Sequence, residues 1–338
     1  MFFLDHSDRI ELALAFWEPT FNVLKYHFTI RLYFRLTGGT IMRVLNIGSL
    51  NLDYVYRVDH ILRSGETEAS GERNIFLGGK GMNQPCALAK AGVEVYHAGL
   101  IGEDGRAFLE ACQKYGVHSE YIRTVDGPTG HTVIQLDKNA QNSILLFGGA
   151  NRKLTEDYVD EVLSHFTKED MLLLQNEVNL LPYIVDRAYE KGMQIALNPS
   201  PFDKKLDAVD LTKISIFLLN EVEGSQITGK NESEEILSEL KNRFPGAKIM
   251  LTLGKDGSIY SDGKQTIRQP IFPVEAVDTT AAGDTFTGYF LAGLAENLPM
   301  TEVLRRSAKA SAIAVTRPGA VASIPDREEV LAQLTKEI

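Results

Sequence analysis

Three short segments of this 338-residue chain combine small residues with donors and carboxylates in a pattern that chemistry can use. At 277–286 the sequence Val-Asp-Thr-Thr-Ala-Ala-Gly-Asp-Thr-Phe leads into an apolar stretch over 288–294. A small-residue turn at a helix start leaves backbone NH groups free and adds the positive end of the helix dipole, which suits a phosphoryl group gathering negative charge. Asp284 falls in the first turn of that helix, where a carboxylate can take the proton from an attacking hydroxyl. Taken alone, Asp278 and Asp284 also read as ordinary helix caps. At 76–84, Phe-Leu-Gly-Gly-Lys-Gly-Met-Asn-Gln sets three glycines before an Ala- and Leu-bearing helix and offers Lys80 and Asn83 as donors. This is no Walker A loop, because GxxxxGK[ST] occurs nowhere, and no dinucleotide fingerprint, because Gln84 stands where a third Gly or Ala is wanted. By itself the segment equally fits a tight strand-to-helix turn. The third segment, Leu-Thr-Leu-Gly-Lys-Asp-Gly at 251–257, is a strand running into a glycine-bearing loop. Such a loop holds nucleotide phosphates through backbone NH groups and the Thr252 hydroxyl, or is a plain β-turn.

The elements that must position these residues alternate between short apolar runs and amphipathic segments, the pattern of a parallel sheet with helices. Strands are predicted at 44–47, 95–100, 171–174, 194–197, 216–219 and 249–253, and a helix over 104–115 with Asp104 as N-cap and Gly116 as stop. The pair 132–134 and 142–145, separated by Asp137-Lys138-Asn139, reads as an antiparallel hairpin in a second, smaller β element. Ligands of open parallel sheets lie beyond the carboxyl ends of the strands. There Asn51, Asp53, Glu177, Asn198, Asn220, Glu223, Thr252 and Gly254 outline one polar rim, although each alone fits ordinary loop polarity.

Composition narrows the classes of function. With 44% hydrophobic and 24% charged residues the chain is expected to fold around a large core. Its formal charge of -10, with Lys and Arg scattered, argues against nucleic acid or an anionic membrane as the main partner. Cys86 and Cys112 sit outside any CxxC or Cys/His cluster, which argues against a zinc site or disulfide framework and for a reducing cytoplasm. Between 10 and 34, Glu11, Glu18, Pro19, Lys25 and Arg31 interrupt an aromatic-rich stretch that can neither span a bilayer nor serve as a signal peptide. Residues 1–41 read as an extension outside the fold or, alternatively, an added docking or interface helix.

In this order and at these separations, the three motifs resemble the ribokinase or PfkB family of carbohydrate and nucleoside kinases, over essentially all of 43–325. Gly-Gly-Lys-Gly-x-Asn-Gln near one end and an Asp-Thr-x-Ala-Gly-Asp-type sequence near the other are signatures of that family. The resemblance implies one α/β domain over 42–338, a three-layer α/β/α fold with a mostly parallel central sheet. A small β-sheet lid near 53–58, 69–76 and 130–147 would pair across a homodimer. Asn51, Asp53, Gly79, Lys80, Asn83 and Glu177 match sugar-holding positions, and Asp284 matches the catalytic base that meets the same sugar. Asn220, Thr252, Gly254 and Gly257 match positions for ATP, Ala281, Ala282 and Gly283 the anion hole, and the Asn220-x-x-Glu223 motif is associated with Mg2+ and phosphate positioning. A monovalent cation site, usually for K+, is implied at carbonyls of Thr280, Ala314, Arg317 and Gly319 with oxygens of Asp278 and Ser323, backed by Ile313 and Val315. Two positions depart from the pattern: Pro318 replaces a flexible polar residue, and Ala308 stands where relatives often place His or Asn near the adenine.

Two carboxylates at the acceptor site suit neighbouring hydroxyls and repel a substrate that already carries phosphate, so a neutral polyol is expected. The Lys80 and Asn83 setting resembles ribokinases more than fructokinases or adenosine kinases, which points to ribose. Deoxyribose, another sugar, a nucleoside, or a non-catalytic sugar sensor on the same fold are the alternatives.

Overall fold

A computed structural model describes residues 42–139 and 141–336, so the extension read over 1–41 lies outside the described residues. In chain order the strands are β1 (Val44–Ile47), β2 (Asn51–Arg57), β3 (Glu72–Gly78), β4 (Val95–Ile101), β5 (His118–Thr124), β6 (Gly130–Leu136), β7 (Asn142–Phe147), β8 (Met171–Gln175), β9 (Gln194–Asn198), β10 (Ile216–Asn220), β11 (Lys248–Thr252), β12 (Ser258–Ser261) and β13 (Thr266–Gln269). The helices are α1 (Lys80–Lys90), α2 (Ala107–Tyr115), α3 (Glu156–Ser164), α4 (Leu181–Glu190), α5 (Glu221–Thr228), α6 (Ser233–Arg243), α7 (Ala282–Ala295), α8 (Met300–Ala314) and α9 (Arg327–Thr335).

Runs such as Val-Leu-Asn-Ile in β1 and Met-Leu-Leu-Leu-Gln in β8 are buried along their whole length, as strands covered on both faces must be. They belong to a nine-stranded sheet ordered β13-β12-β11-β10-β9-β8-β1-β4-β5, parallel from β5 to β11 and antiparallel at β12 and β13. Val44, Val95, Met171 and Leu173 share one core with α1, α2, α7, α8 and α9. Leu45, Ile47, Leu172 and Leu174 share the other with α3, α4 and α6. Alternation along each strand divides the two faces, giving three layers. Helix α7 is apolar nearly all round and buried from Asp284 to Gly293, so it is an interior helix whose first turn opens on the carboxyl ends of the strands. It approaches α1 closely, since a Cβ on Gly288 would lie 2.3 Å from that of Ala87.

A second sheet, ordered β3-β2-β6-β7, contains the expected hairpin, with Thr132 opposite Leu146 and Val133 opposite Leu145. The Asp137 carboxylate closes its turn by accepting from the backbone NH groups of Asn139 and Gln141. Asp104 does not cap α2. It lies in a 3-10 turn, and its Oδ1 accepts from the backbone NH (2.9 Å) and hydroxyl (2.6 Å) of Thr129, tying the end of β4 to the approach to β6. Arg106 stands at the helix start without a side-chain cap, while Gly116 ends α2 in the left-handed conformation as expected. Strands β5, β12 and β13 carry no clear apolar run, and sheet pairing rather than local pattern defines them.

Candidate active site

The entry to α7 is built by a turn through Ala281, a non-glycine residue at φ 59°. Within this turn the Ala282 NH donates to the Thr279 carbonyl (3.2 Å), so this member of the expected anion hole is already engaged. The NH groups of Ala281, Gly283 and Asp284 have no partner among the described residues. Both oxygens of Asp284 are held by α1: Asn83 Nδ2 donates to Oδ2 (2.9 Å) and Gln84 Nε2 to Oδ1 (2.9 Å). The Gly-Gly-Lys-Gly-x-Asn-Gln and Gly-Asp motifs, two hundred residues apart in sequence, therefore meet through side chains. Asn83 Oδ1 is buried with no partner among the described residues, an acceptor left for something else.

Around this carboxylate the predicted sugar-holding residues gather. Gly79 turns with φ 88° directly against Ser49 and Asn51, where a side chain would be both strained and crowded. Asn51 Oδ1 accepts from Asn151 Nδ2 (2.8 Å). Glu177 accepts from the Ser49 hydroxyl and from the Lys80 backbone NH. Burial pushes its carboxyl up, opposed by the Lys80 charge and the Ser49 bond. Burial also works against the Lys80 ammonium, but the carboxylates of Asp284, Glu177 and Glu223 outweigh it and its pKa is raised. On the smaller sheet, Thr132 Oγ1 donates to Asp53 Oδ1 (2.6 Å). Burial pushes the Asp53 carboxyl up to about 6; the Thr132 bond lowers it and the Glu177 charge raises it.

A cavity of about 270 Å³ extends from Lys80 and Asp284 along Thr279 and Ala281–Gly283 to Asn220, Glu223 and Thr252. It joins the carboxyl ends of β10 and β11 to the start of α7. Asn220 caps α5: its Oδ1 accepts from the Glu223 NH (2.9 Å), and Glu223 Oε2 accepts in return from the Asn220 NH (3.0 Å). The Thr252 hydroxyl donates to the Leu219 carbonyl (3.2 Å). Gly254 and Gly257 lie in the turn between β11 and β12, outside the lining of this cavity, so the structure does not bring them to it.

The predicted cation residues come from two segments that hydrogen-bond to each other. The Asp278 carboxylate accepts from the backbone NH groups of Thr280 (2.8 Å) and Gly319 (2.9 Å), and the Val315 carbonyl accepts from those of Val277 and Asp278. These bonds hold the Asp278 carboxyl below its usual range despite the opposing effect of burial. The Ala314 carbonyl accepts from the Arg317 NH, and the buried Ser323 hydroxyl donates to Ala320. Carbonyl, carboxylate and hydroxyl oxygens make up the set, hard donors that suit an alkali cation.

Sequence reading passed over Gln84, Ser49, Thr132 and Asn151 as functional candidates. Gln84 was within reach as the last residue of its motif, whereas the other three act through pairings between distant strands and loops that leave no local signal.

Comparison with known proteins places the chain among its relatives. The model for the pfkB family carbohydrate kinases matches residues 42–327. The ribokinase of Haemophilus influenzae is 36% identical over 295 residues, covering 84% of this chain and 96% of that protein. The ribokinase of Bacillus subtilis is 34% identical over 291 residues, covering 84% and 96%. An Arabidopsis thaliana ribokinase solved with ribose and ATP superimposes with a TM-score of 0.78 at 32% identity, covering 87% of this chain and 99% of that one. A family model spanning nearly the whole described region, and relatives matched almost end to end, put this chain in the pfkB family of carbohydrate kinases.

Proposed function

We propose that the protein is an ATP-dependent ribokinase that transfers the γ-phosphoryl group to the O5 hydroxyl of D-ribose, giving D-ribose 5-phosphate. The observation that carries this reading is the placement of Asp284, a recessed carboxylate at the open N-terminus of α7, held by Asn83 and lining a cavity that reaches Lys80, Asn220 and Thr252. Asp284 accepts the proton of the hydroxyl as that oxygen attacks the γ-phosphorus, and the bond from that phosphorus to the β–γ bridging oxygen breaks, so that ADP leaves. The unpartnered NH groups of Ala281 and Gly283, the helix dipole and the Lys80 ammonium offset the charge that builds on the transferring group. Asp53, Glu177, Asn51, Gly79 and the free acceptor of Asn83 serve the ribose hydroxyls, and the relatives named ribokinase support that acceptor.

The nucleotide lies along Asn220, Glu223 and Thr252, with Gly254 and Gly257 shaping the neighbouring loop. Glu223 with Asn220 would position Mg2+, which neutralises phosphate charge when bound. The oxygens of Thr280, Ala314, Arg317, Gly319, Asp278 and Ser323 would hold K+, which orders the turn entering α7. The smaller sheet is the lid and pairs with its counterpart in a homodimer, a reading supported by the exposure of Ile144 (57%), Leu145 (70%) and Phe147 (50%). Buried, unpaired Cys86 and Cys112 are consistent with a cytoplasmic protein, and no helix among the described residues is long and apolar enough to cross a membrane. Residues 1–41 are taken as an extension outside the kinase domain.

ADP release measured with ribose, deoxyribose, fructose and nucleosides, with and without K+, tests the proposal. Ribose should give the highest kcat/KM, and K+ should raise it. A higher value for another acceptor reassigns the substrate, and no turnover with any would leave a sugar-binding protein without kinase activity.

A further inference from the structure

Gln84 is the first of four side chains that lead from Asp284 into the interior of the large sheet. Its Oε1 accepts from Gln175 Nε2 (2.7 Å), and Gln175 Nε2 also donates to Asn46 Oδ1 (2.8 Å). Asn46 Nδ2 in turn meets His97 Nδ1 (2.8 Å) and donates to the Gly81 carbonyl (3.2 Å). None of Gln84, Gln175, Asn46 and His97 is more than 1% exposed. Strand register explains how they come together. Asn46 of β1 pairs with His97 of β4 on one side and Leu173 of β8 on the other, and Gln175 lies two residues beyond Leu173. All three side chains therefore stand on the face that α1 covers.

The direction of this chain is set by Asp284 at one end and by the Gly81 carbonyl, which accepts from Asn46, near the other, while His97 Nε2 has no partner among the described residues. An ionised carboxylate only accepts, so Gln84 must turn its NH2 toward Asp284 and its carbonyl toward Gln175. Gln175 then serves two carbonyl oxygens with its NH2, which leaves the Asn46 NH2 to face His97. Nδ1 of His97 must consequently be a lone pair, with the ring proton on Nε2. Burial lowers the His97 pKa to about 3 and so keeps the ring neutral. A protonated Nδ1 would set donor against donor and favour the inverted orientation of every amide in the chain.

We propose that Gln84 is a positioning residue for phosphoryl transfer: with Asn83 on the second oxygen it fixes the plane of the Asp284 carboxylate, while Gln175, Asn46 and His97 lock its amide in the donating orientation. The proposal deepens the ribokinase reading and rests on Asp284 being the base. Aligning a general base requires its plane to be held, because a misplacement of about 1 Å can cost on the order of 100-fold in rate. Two-point attachment supplies that, and the neutral imidazole supplies the far anchor.

The test compares Gln84→Leu, His97→Leu, His97→Asn and Asp284→Asn in steady-state ADP release on the full chain, with thermal melting to establish that each is folded. Gln84→Leu should lower kcat by about 10- to 100-fold, with KM for ribose and ATP changed by less than about threefold. His97→Leu should lower kcat in the same way. His97→Asn, which can place an acceptor near the position of Nδ1, should recover most of that loss. A kcat for Gln84→Leu within about twofold of the parent, or a loss carried by KM, overturns the proposal. If Gln84→Leu does not fold, the His97 pair decides: equal kcat in His97→Leu and His97→Asn rejects the chain as a positioning device. Activity retained in Asp284→Asn would instead remove the base assignment itself, so the two failures are told apart.

Discussion

Two carboxylates, one on a helix packed against the large sheet and one on the smaller sheet, have surroundings that differ in kind. Asp284 stands on an interior helix, 7% exposed, with each oxygen held by an amide from α1. Asp53 stands on β2 of the smaller sheet, where one hydroxyl holds one oxygen and burial with a like charge pushes its carboxyl up to about 6. The sheets differ in the same sense. In the large sheet β1 and β8 are covered on both faces, whereas β7 of the smaller sheet leaves all six of its residues exposed. A group that must meet a reacting atom is better fixed on a rigid, packed element, and a group that admits and releases a substrate is better carried on a part that can move. On the proposed reading, the first task falls to the packed helix α7 and the second to the smaller sheet.

The largest effect should follow from removing the fixed carboxylate. Asp284→Asn should lower kcat by about 100- to 10,000-fold while ribose binding, measured by calorimetry, changes little. Loss of binding in step with kcat would erase the division between the two acids. Next comes the packing that brings Asp284 to Asn83 and Gln84. Gly288→Val would drive a side chain into Ala87 and part α7 from α1. It should cost about 1–3 kcal/mol in denaturant unfolding and lower kcat more than it raises KM. A variant of full stability and activity would show that the helices tolerate separation and that the fixed end of the comparison is less fixed than argued.

A smaller effect is expected from the outer sheet. Leu145→Lys places a charge on the exposed strand β7, and under the proposed pairing of this sheet it should turn a dimer into a monomer in sedimentation velocity. Melting of the monomer should change little, because Leu145 is 70% exposed and contributes little to the core of its own subunit. An unchanged oligomeric state, or a collapse of monomer stability, would contradict the assignment of this sheet as a pairing surface.

How far these features can be read from residues alone depends on what carries them. The buried runs at 44–47, 171–174 and 216–219 are legible because strands covered on both faces need continuous apolar sequence. Gly79 and Asp284 are legible because a turn with positive φ and a helix N-terminus leave local signatures. Asp104 misled for the same reason: an acidic residue before a helical pattern looks like a cap, and only the fold brings Thr129 to it. Asn46 and His97 sat unremarked inside apolar strands. A polar residue in such a run signals a buried partner, but which partner is settled by register between β1, β4 and β8, which no single segment encodes.

The finest distinction between the acids lies in pH. Folding raises the Asp53 carboxyl from 3.8 to about 6, so between those values the native state holds a proton that the unfolded state has lost. Stability contributed by this group is therefore present below about 3.8 and declines as pH rises toward about 6. Ribose affinity should run the opposite way, because a sugar hydroxyl donates to the ionised carboxylate and binding favours that form. Calorimetric titration with ribose between pH 5 and 8 should show affinity rising to a plateau above about 6. Glu177 is raised by burial as well, so Asp53→Asn must flatten most of that rise for the profile to belong to Asp53. Thr132→Val adds a second check, since removing the hydroxyl that holds the Asp53 carboxyl down should move the break to higher pH. An affinity independent of pH in the parent protein would mean that the Asp53 carboxylate does not meet the sugar in its ionised form.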